Sequence, residues 1–590
     1  MTSRALTLAL ALPLGLLPAS AGAQRFDSRE THHEVPDDAP GLAARETSPA
    51  GTLRIGSYTS VQVNVNGSGD NIVGDAGNEP SLAVDPNNPL RMVAGWRQFD
   101  TISSNFRQAG WAYSHDGGAT WTFPGKIEAG LFRSDPVLDV DNNGVFHYHS
   151  LNGNFECRLF RSTNGGVSWD SGTSAFGGDK NWMVVDRTSS PGEGHVYGIW
   201  QAYYNCCNED TFTRSADGGS SFETPVEIPQ NTSFGVIDVG PTGEVFAAGI
   251  EADSGQNFSQ LVVSKSTNAR DSSQTPSFTS VFVNLGGAMR FGVGPNPAGL
   301  LGQAYVRADP QDEELVYALC STNTPGSDPL DTYLIRSEDG GQTWTAPIRV
   351  NNDPAGTNAW QWMGTLSVSP LGRIDVVWND TRNSGGSSRL NETFYAWSWD
   401  RGETWGGNEA FTPQWDSHVG WPRQDKIGDY YDMISDDEGA HLAYATTFNG
   451  EQDVYYVNLF PDCNENGFSD VADIRGGSSA DVDGDWTPDE CEALSLFVDD
   501  DTPDIGQPVT LDVQNGLPAS LGILFLTGVN GVPLRIRLTN VFFGADGNAS
   551  FTGSVPNNPA LSGVSFSMDT IALGLDGEPE LSNELTLVVQ

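Results

Sequence analysis

Tyr113–Gly125 reads YSHDGGATWTFPG. Its core, Ser-x-Asp-x-Gly-x-Thr-Trp from Ser114 to Trp121, returns in close variants. They are STNGGVSW from Ser162, SADGGSSF from Ser215, SEDGGQTW from Ser337 and SWDRGETW from Ser398, with a decayed copy, SKSTNARD, from Ser264. Recurrence at a period of roughly 50–70 residues marks an array of like units. The chemistry of the motif is local. The Asp, or Asn164 in the second copy, accepts hydrogen bonds from backbone N–H groups of its own turn. Gly at the fifth position permits a positive φ. The closing Trp or Phe starts a new strand and buries a large ring between neighbouring sheets. The motif is a hairpin clasp, and its acids are structural.

These octapeptides resemble the Asp boxes of the sialidase-like, or BNR-repeat, β-propellers, over about Leu53 to Phe460. The resemblance implies an all-β propeller in which each box joins the third and fourth strands of a blade. Seven runs read as innermost strands: EPSLAVDP from Glu79, SDPVLDVD from Ser134, KNWMVVDR from Lys180, SFGVIDVG from Ser233, GQAYVRAD from Gly302, MGTLSVSP from Met363 and DYYDMISD from Asp429. The seventh set has no box and ends one strand short, at DVYYVNLF from Asp453. LRIGSYTSVQVNVN from Leu53 supplies the missing strand and removes the open edge. The expectation is seven blades, with six as the alternative if the boxless fourth unit is an insertion.

The flanks set the context. Arg4, the apolar run Ala5–Leu17 and Ala21-Gly22-Ala23 read as a secretory signal peptide over 1–23. Residues 24–51 read as a flexible lead-in, 52–460 as the propeller, 461–493 as a calcium segment and 494–590 as a β-sandwich of seven short strands. The expected location is secreted or cell-surface. No stretch is long enough for a transmembrane helix. The formal net charge of −46, from 76 acids and 30 bases, repels nucleic acid and anionic membranes. Six Cys in an exported chain suit disulfides. Cys463 pairs most simply with Cys491, while the adjacent Cys206 and Cys207 either bridge each other or send one partner to Cys157.

DCNENGFSDVAD, from Asp462, has the spacing of a twelve-residue calcium loop. Asp462, Asn464, Asn466, Asp470 and Asp473 stand at positions 1, 3, 5, 9 and 12, with Gly467 at the turn. DVDGDWTPDECE repeats the pattern with Asp481, Asp483, Asp485, Asp489 and Glu492, but has Trp486 at the sixth position. The segment resembles dockerin and thrombospondin type 3 repeats, which implies structural calcium. No helix is evident between the loops, so the expectation is a calcium-stiffened spacer.

A propeller's ligand funnel opens on the face away from the boxes. The strand reading places Glu79, Asp135, Asp179, Lys180, Asp429 and Tyr430 there, with Arg97, Asp100, His149, Trp200 and Arg382 at second-strand ends. Carboxylates, arginines and aromatic rings converging on one funnel suit a sugar, above all an anionic one. Where the sialidase family has Arg-Ile-Pro, this chain has Asn78-Glu79-Pro80. The rest of the resemblance implies Tyr430 or Tyr431 as nucleophile, with Tyr430 preferred, beside Asp429, Asp100 as acid/base, and Arg97, Arg290 and Arg382 on the substrate carboxylate, while the strand reading puts Asp135 and Trp200 in the binding wall. The functional expectation is an exo-glycosidase-type propeller that binds and hydrolyses an extracellular glycan. The alternatives are a non-catalytic surface recognition propeller and a polysaccharide lyase using His149 and Tyr430.

Overall fold

The computed structural model describes residues 36–41, 45–230, 232–251, 260–324, 328–481, 484–488, 491–544, 547–575, 577 and 579–590. The leader over 1–23, much of the lead-in, and Asp483 and Asp489 lie outside the described residues. The chain is all-β, with its strands in many small antiparallel sheets.

Seven of these sheets follow one another between Ala76 and Leu459. Their first strands are Ala76–Val84, Ser134–Val140, Trp182–Val185, Ile237–Val239, Tyr305–Ala308, Gln361–Val368 and Asp432–Ser435. These strands are buried almost throughout, as a strand covered on both sides must be. Each packs on the next, and Asp432–Ser435 packs back on Ala76–Val84, so the circuit of contacts closes. Side chains stitch neighbours across it. Ser81 Oγ accepts from Leu138 N at 2.8 Å, Asp139 Oδ2 from Val185 N at 2.7 Å, and Asp432 Oδ2 from Leu82 N at 3.2 Å. The last sheet takes in Tyr58–Gln62 beside Asp453–Leu459, with Thr52–Ile55 outside it.

The boxes have the geometry their sequence requires. Ser114 Oγ donates to Asp116 Oδ1 at 2.7 Å and accepts from Gly118 N at 2.9 Å, while Asp116 accepts from Thr120 N at 2.9 Å. The boxes at Ser162, Ser215, Ser337 and Ser398 repeat this serine-to-glycine bond. The decayed copy is in register two residues later than expected: its serine is Ser266, which bonds Asn268. Glycine is needed at the fifth position for two reasons. Gly118 has φ +84°, and a Cβ there would strike the Tyr456 ring of the seventh sheet. Likewise Gly166 abuts Val93 of the first sheet, Gly219 abuts Leu159 of the second and Gly402 abuts Leu334 of the fifth. Each box therefore seats its turn directly on the preceding sheet.

Past Phe460, the first calcium-type loop docks on the closing hairpin, where Ser57 Oγ donates to Asp462 Oδ2 at 2.5 Å. Gly467 has φ +90°, and Trp486 takes the same left-handed turn at φ +70° despite its side chain. A helix, Asp470–Gly476, begins within the last third of the first loop and runs past it, where none was expected. It is too short to show a periodicity, and its signals are the Ser469 N-cap and Gly477 in the left-handed C-cap. Cys463 and Cys491 are joined, as are Cys206 and Cys207, leaving Cys157 and Cys320 as buried thiols. From Leu494 onward two antiparallel sheets share a core that includes Leu496, Leu511, Leu524, Val541 and Met568.

Candidate functional site

The first strands share a local irregularity at the ends away from the boxes. Glu79, Asp135, Lys180, Phe234 and Met363 all have φ between +48° and +61°, and Gly302 and Gly428 are also positive. In the first and sixth sheets the pairing register slips at this point, as a β-bulge does. Left-handed φ costs a non-glycine residue about 1–2 kcal/mol. Here it turns the side chain out of the strand's alternation, and Asp135, Lys180 and Phe234 reach the wall of a cavity of about 340 Å³.

Four cations line that cavity: Arg97, Arg107, Lys180 and Lys426. The chain has 30 bases, of which only Lys126, Lys180, Lys265 and Lys426 are lysines, so two of its four lysines meet here. Asp429 joins them: its Oδ2 is 2.6 Å from Lys180 Nζ and 2.9 Å from Lys426 Nζ, and its Oδ1 accepts from Leu300 N at 2.8 Å. Asp135 Oδ2 accepts from Lys180 N at 3.0 Å, and Asp179 Oδ1 lies 4.0 Å from Lys180 Nζ. Phe132, Phe155, Tyr204, Phe234 and Phe291 supply the apolar wall, with Arg107 stacked 4.7 Å over Phe132.

Below the floor lies Glu79, fully buried and 3.0 Å from Arg97. Neither of its carboxylate oxygens has a hydrogen-bond partner of good geometry. Desolvation pushes its carboxyl up to about 7, against the pull of Arg97. Desolvation works on Asp429 and Asp135 too, but the cations beside them outweigh it. Lys180 and Lys426 hold Asp429 well below the usual carboxylate range, and Lys180 and Arg97 hold Asp135 below it. Adjacent acids are thus pushed in opposite directions, an arrangement typical of acid/base sites.

Burial likewise raises Asp432 and Asp453, each to about 6. With the folded value above the unfolded one, the stabilisation from these acids and Glu79 is complete near pH 4. It is lost as pH rises to about 7. Asp135 and Asp429 act oppositely, weakening the fold as pH falls below 4. The melting temperature is therefore expected to peak on the acidic side and to fall between pH 5 and pH 7.5. Glu79→Gln should flatten that fall in a calorimetric pH series.

The expected site residues divide. Arg97, Asp135 and Asp429 line the cavity together, but Asp100, Tyr430, Arg290, Arg382 and Trp200 do not. Asp100 stands outside, bonded to Lys126 Nζ at 2.8 Å, Arg45 at 2.7 Å and Gln108 at 2.8 Å. These bonds, led by Lys126, overcome desolvation and hold it ionised, which ill suits a proton donor. Tyr430 is packed into the wall, its hydroxyl on the Pro136 carbonyl at 2.9 Å and its ring against Trp182. Burial raises that phenol further from the reactive anion. Arg382 pairs with Asp380 in the sixth sheet. Arg290 flanks the Phe291–Leu300 hairpin, and Trp200 lies behind Gly178. His149 is buried, its imidazole pushed by desolvation down to about 3, and it does not line the cavity. Sequence reasoning missed Lys426 and Arg107. The scarcity of lysine and the Lys426–Asp429 spacing were the available signals.

No family model matches the chain, and no curated protein matches it. Solved structures similar to it include sialidases and α-L-arabinofuranosidases. The Trypanosoma rangeli sialidase in complex with an inhibitor is 13% identical over 90% of this chain and 88% of that one, with a TM-score of 0.39. The α-L-arabinofuranosidase of Fusarium graminearum in complex with arabinobiose is 15% identical over 48% and 92%, at 0.30. A fungal alcohol oxidase in complex with copper is 10% identical over 92% and 99%, at 0.41. Likenesses this distant attach none of these activities to the chain.

Proposed function

We propose that this chain is an exported, glycan-active seven-bladed propeller whose mouth cavity takes the acidic end of an extracellular glycan. The observation that carries the reading is the meeting of Arg97, Arg107, Lys180 and Lys426 against a Phe and Tyr wall, in a chain of net charge −46. Guanidinium groups grip a carboxylate with paired hydrogen bonds, and aromatic faces take the sugar ring. The closed circuit of seven sheets supports the blade count, and the shared core past Leu494 supports a terminal sandwich.

A second reading adds hydrolysis at the same place. It is favoured by Glu79 and Asp429 sharing Lys426, at 3.8 and 2.9 Å, with desolvation pushing the first carboxyl up and the lysines holding the second down. A panel of sialic-acid- and uronate-terminated oligosaccharides tests both. Binding with released sugar supports hydrolysis, and binding without turnover supports a recognition propeller. Unsaturated uronate, seen by ultraviolet absorbance, selects a lyase. No binding by any acidic glycan contradicts the proposal.

We propose further that loop 462–473 holds structural calcium. Asn464 and Asn466 donate their Nδ2 groups to Asp473 Oδ2, at 3.5 and 2.7 Å, which brings positions 3, 5 and 12 of the loop together. Among the described residues no three His, Cys, Asp or Glu side chains gather, so an ion would need Asn464 and Asn466 to turn their oxygens inward. Calcium should protect 462–492 from protease and a chelator should expose it. An identical cleavage pattern in both conditions rejects the ion.

A further inference from the structure

The cavity wall next to Lys180 is fixed by a loop closed on itself by the Cys206–Cys207 bond. Asp179, which lines the cavity, is bonded to that loop along its backbone. Its N–H donates to Tyr204 O at 2.9 Å and its carbonyl accepts from Gln201 N at 3.2 Å. Its carboxylate accepts from Gln201 Nε2 at 2.5 Å. Tyr204, also in the wall, packs its ring at a tilt against Phe155, 5.3 Å between centroids. Two further bonds run beside the disulfide: Cys206 N donates to Gly177 O at 3.0 Å, and Cys207 N donates to Asn205 Oδ1 at 2.6 Å.

This loop is held in a conformation its residues would not choose. Tyr204 and Asn208 have φ +52° and +61°, on either side of the paired cysteines. A tyrosine stays left-handed only where the surroundings over-determine it. A bond between adjacent cysteines closes a small ring that includes their peptide link, so it removes backbone freedom at the point where the chain must turn. Cys206 is exposed to solvent.

We propose that the Cys206–Cys207 bond is a positioning element of the cavity, holding Tyr204 and Asp179 in the wall, so that its reduction loosens the wall and weakens glycan binding. The binding half rests on the reading of the cavity as a glycan site. The reductant is an external dithiol. One of its thiolates attacks the exposed Cys206 sulfur, the Cys206–Cys207 bond breaks, and Cys207 leaves as a thiolate that takes up a proton. The second thiol of the reductant then displaces Cys206, which is protonated in turn, and the dithiol ends as a disulfide.

The test uses the full chain carrying Cys463→Ser/Cys491→Ser, so that 206–207 is its remaining disulfide, with and without dithiothreitol. A Cys206→Ser/Cys207→Ser variant provides the same comparison without a reductant. Hydrogen exchange over residues 177–181 and 200–208 should accelerate about ten-fold on reduction while the other sheets keep their protection. The Kd for α2,3-sialyllactose or a glucuronate-terminated oligosaccharide should rise about five-fold, and reoxidation should restore both. Unchanged exchange in these segments overturns the proposal, as does faster exchange with unchanged affinity. A wild-type protein that binds neither probe instead counts against the glycan reading, and the exchange result still judges the loop.

Discussion

Lys180→Met is expected to destabilise the fold by about 3–5 kcal/mol, the usual effect of breaking a buried ion pair by removing one partner. It should also abolish retention of acidic glycans. Lys180 Nζ and Asp429 Oδ2 are 2.6 Å apart, with side-chain exposures of 6% and 2%. Lys426 at 2.9 Å and the Leu300 N–H at 2.8 Å are left to hold the carboxylate. Asp429 then moves up toward the carboxylate range that desolvation favours. Adding Asp429→Asn should return part of the lost stability, because the unpaired charge disappears with it. Urea denaturation of the single and double variants measures this, and a loss below about 1 kcal/mol for Lys180→Met would place the pair at a surface-like value and count against the site.

Gly118→Ala should be nearly as damaging, and for a different reason. The left-handed backbone costs about 1–2 kcal/mol. The methyl group driven into the Tyr456 ring adds about 1–3 kcal/mol of overpacking. Gly117 is the internal control. It has φ +73°, but a Cβ there would meet only Leu90 Cδ2, at 3.3 Å. Gly117→Ala should therefore carry the backbone cost and little else. Equal melting temperatures for the two variants would mean that the boxes do not seat one sheet on another.

Much of this architecture was readable before any coordinates. The box serines, their acids and the glycine at the fifth position are local chemistry, and local chemistry survives in sequence. So do the seven apolar runs and the strand from Leu53 that completes the last sheet. The fourth unit was harder to read. Its box had decayed to Ser266 and Asn268, which left nothing to fix its register.

The site was legible only in outline, because its geometry turns on single residues. In Gly428-Asp429-Tyr430 the positive φ at Gly428 sets which side chain enters the cavity. Asp429 does, and Tyr430 turns into the wall toward Pro136. A one-residue change of facing exchanges the roles of neighbours. Asp100 follows the end of the strand Met92–Phe99, so its carboxylate leaves the cavity for Lys126, two strands across the same sheet, and for Arg45. Such partners come from remote positions in the chain, and only the fold brings them together. Lys426 was missed in part for the same reason: sheet closure brings Glu79 to it from far along the chain, although Asp429 is only three residues away.

The most direct test of the central claim is a crystal structure of the chain soaked with a carboxylated oligosaccharide that it binds. The sugar carboxylate is predicted within hydrogen-bond reach of Arg97 or Arg107, with the ring against the wall of Phe155 and Tyr204 and the boxes at the far end. Sugar seated anywhere else on the molecule, with the cavity bare, would contradict the account.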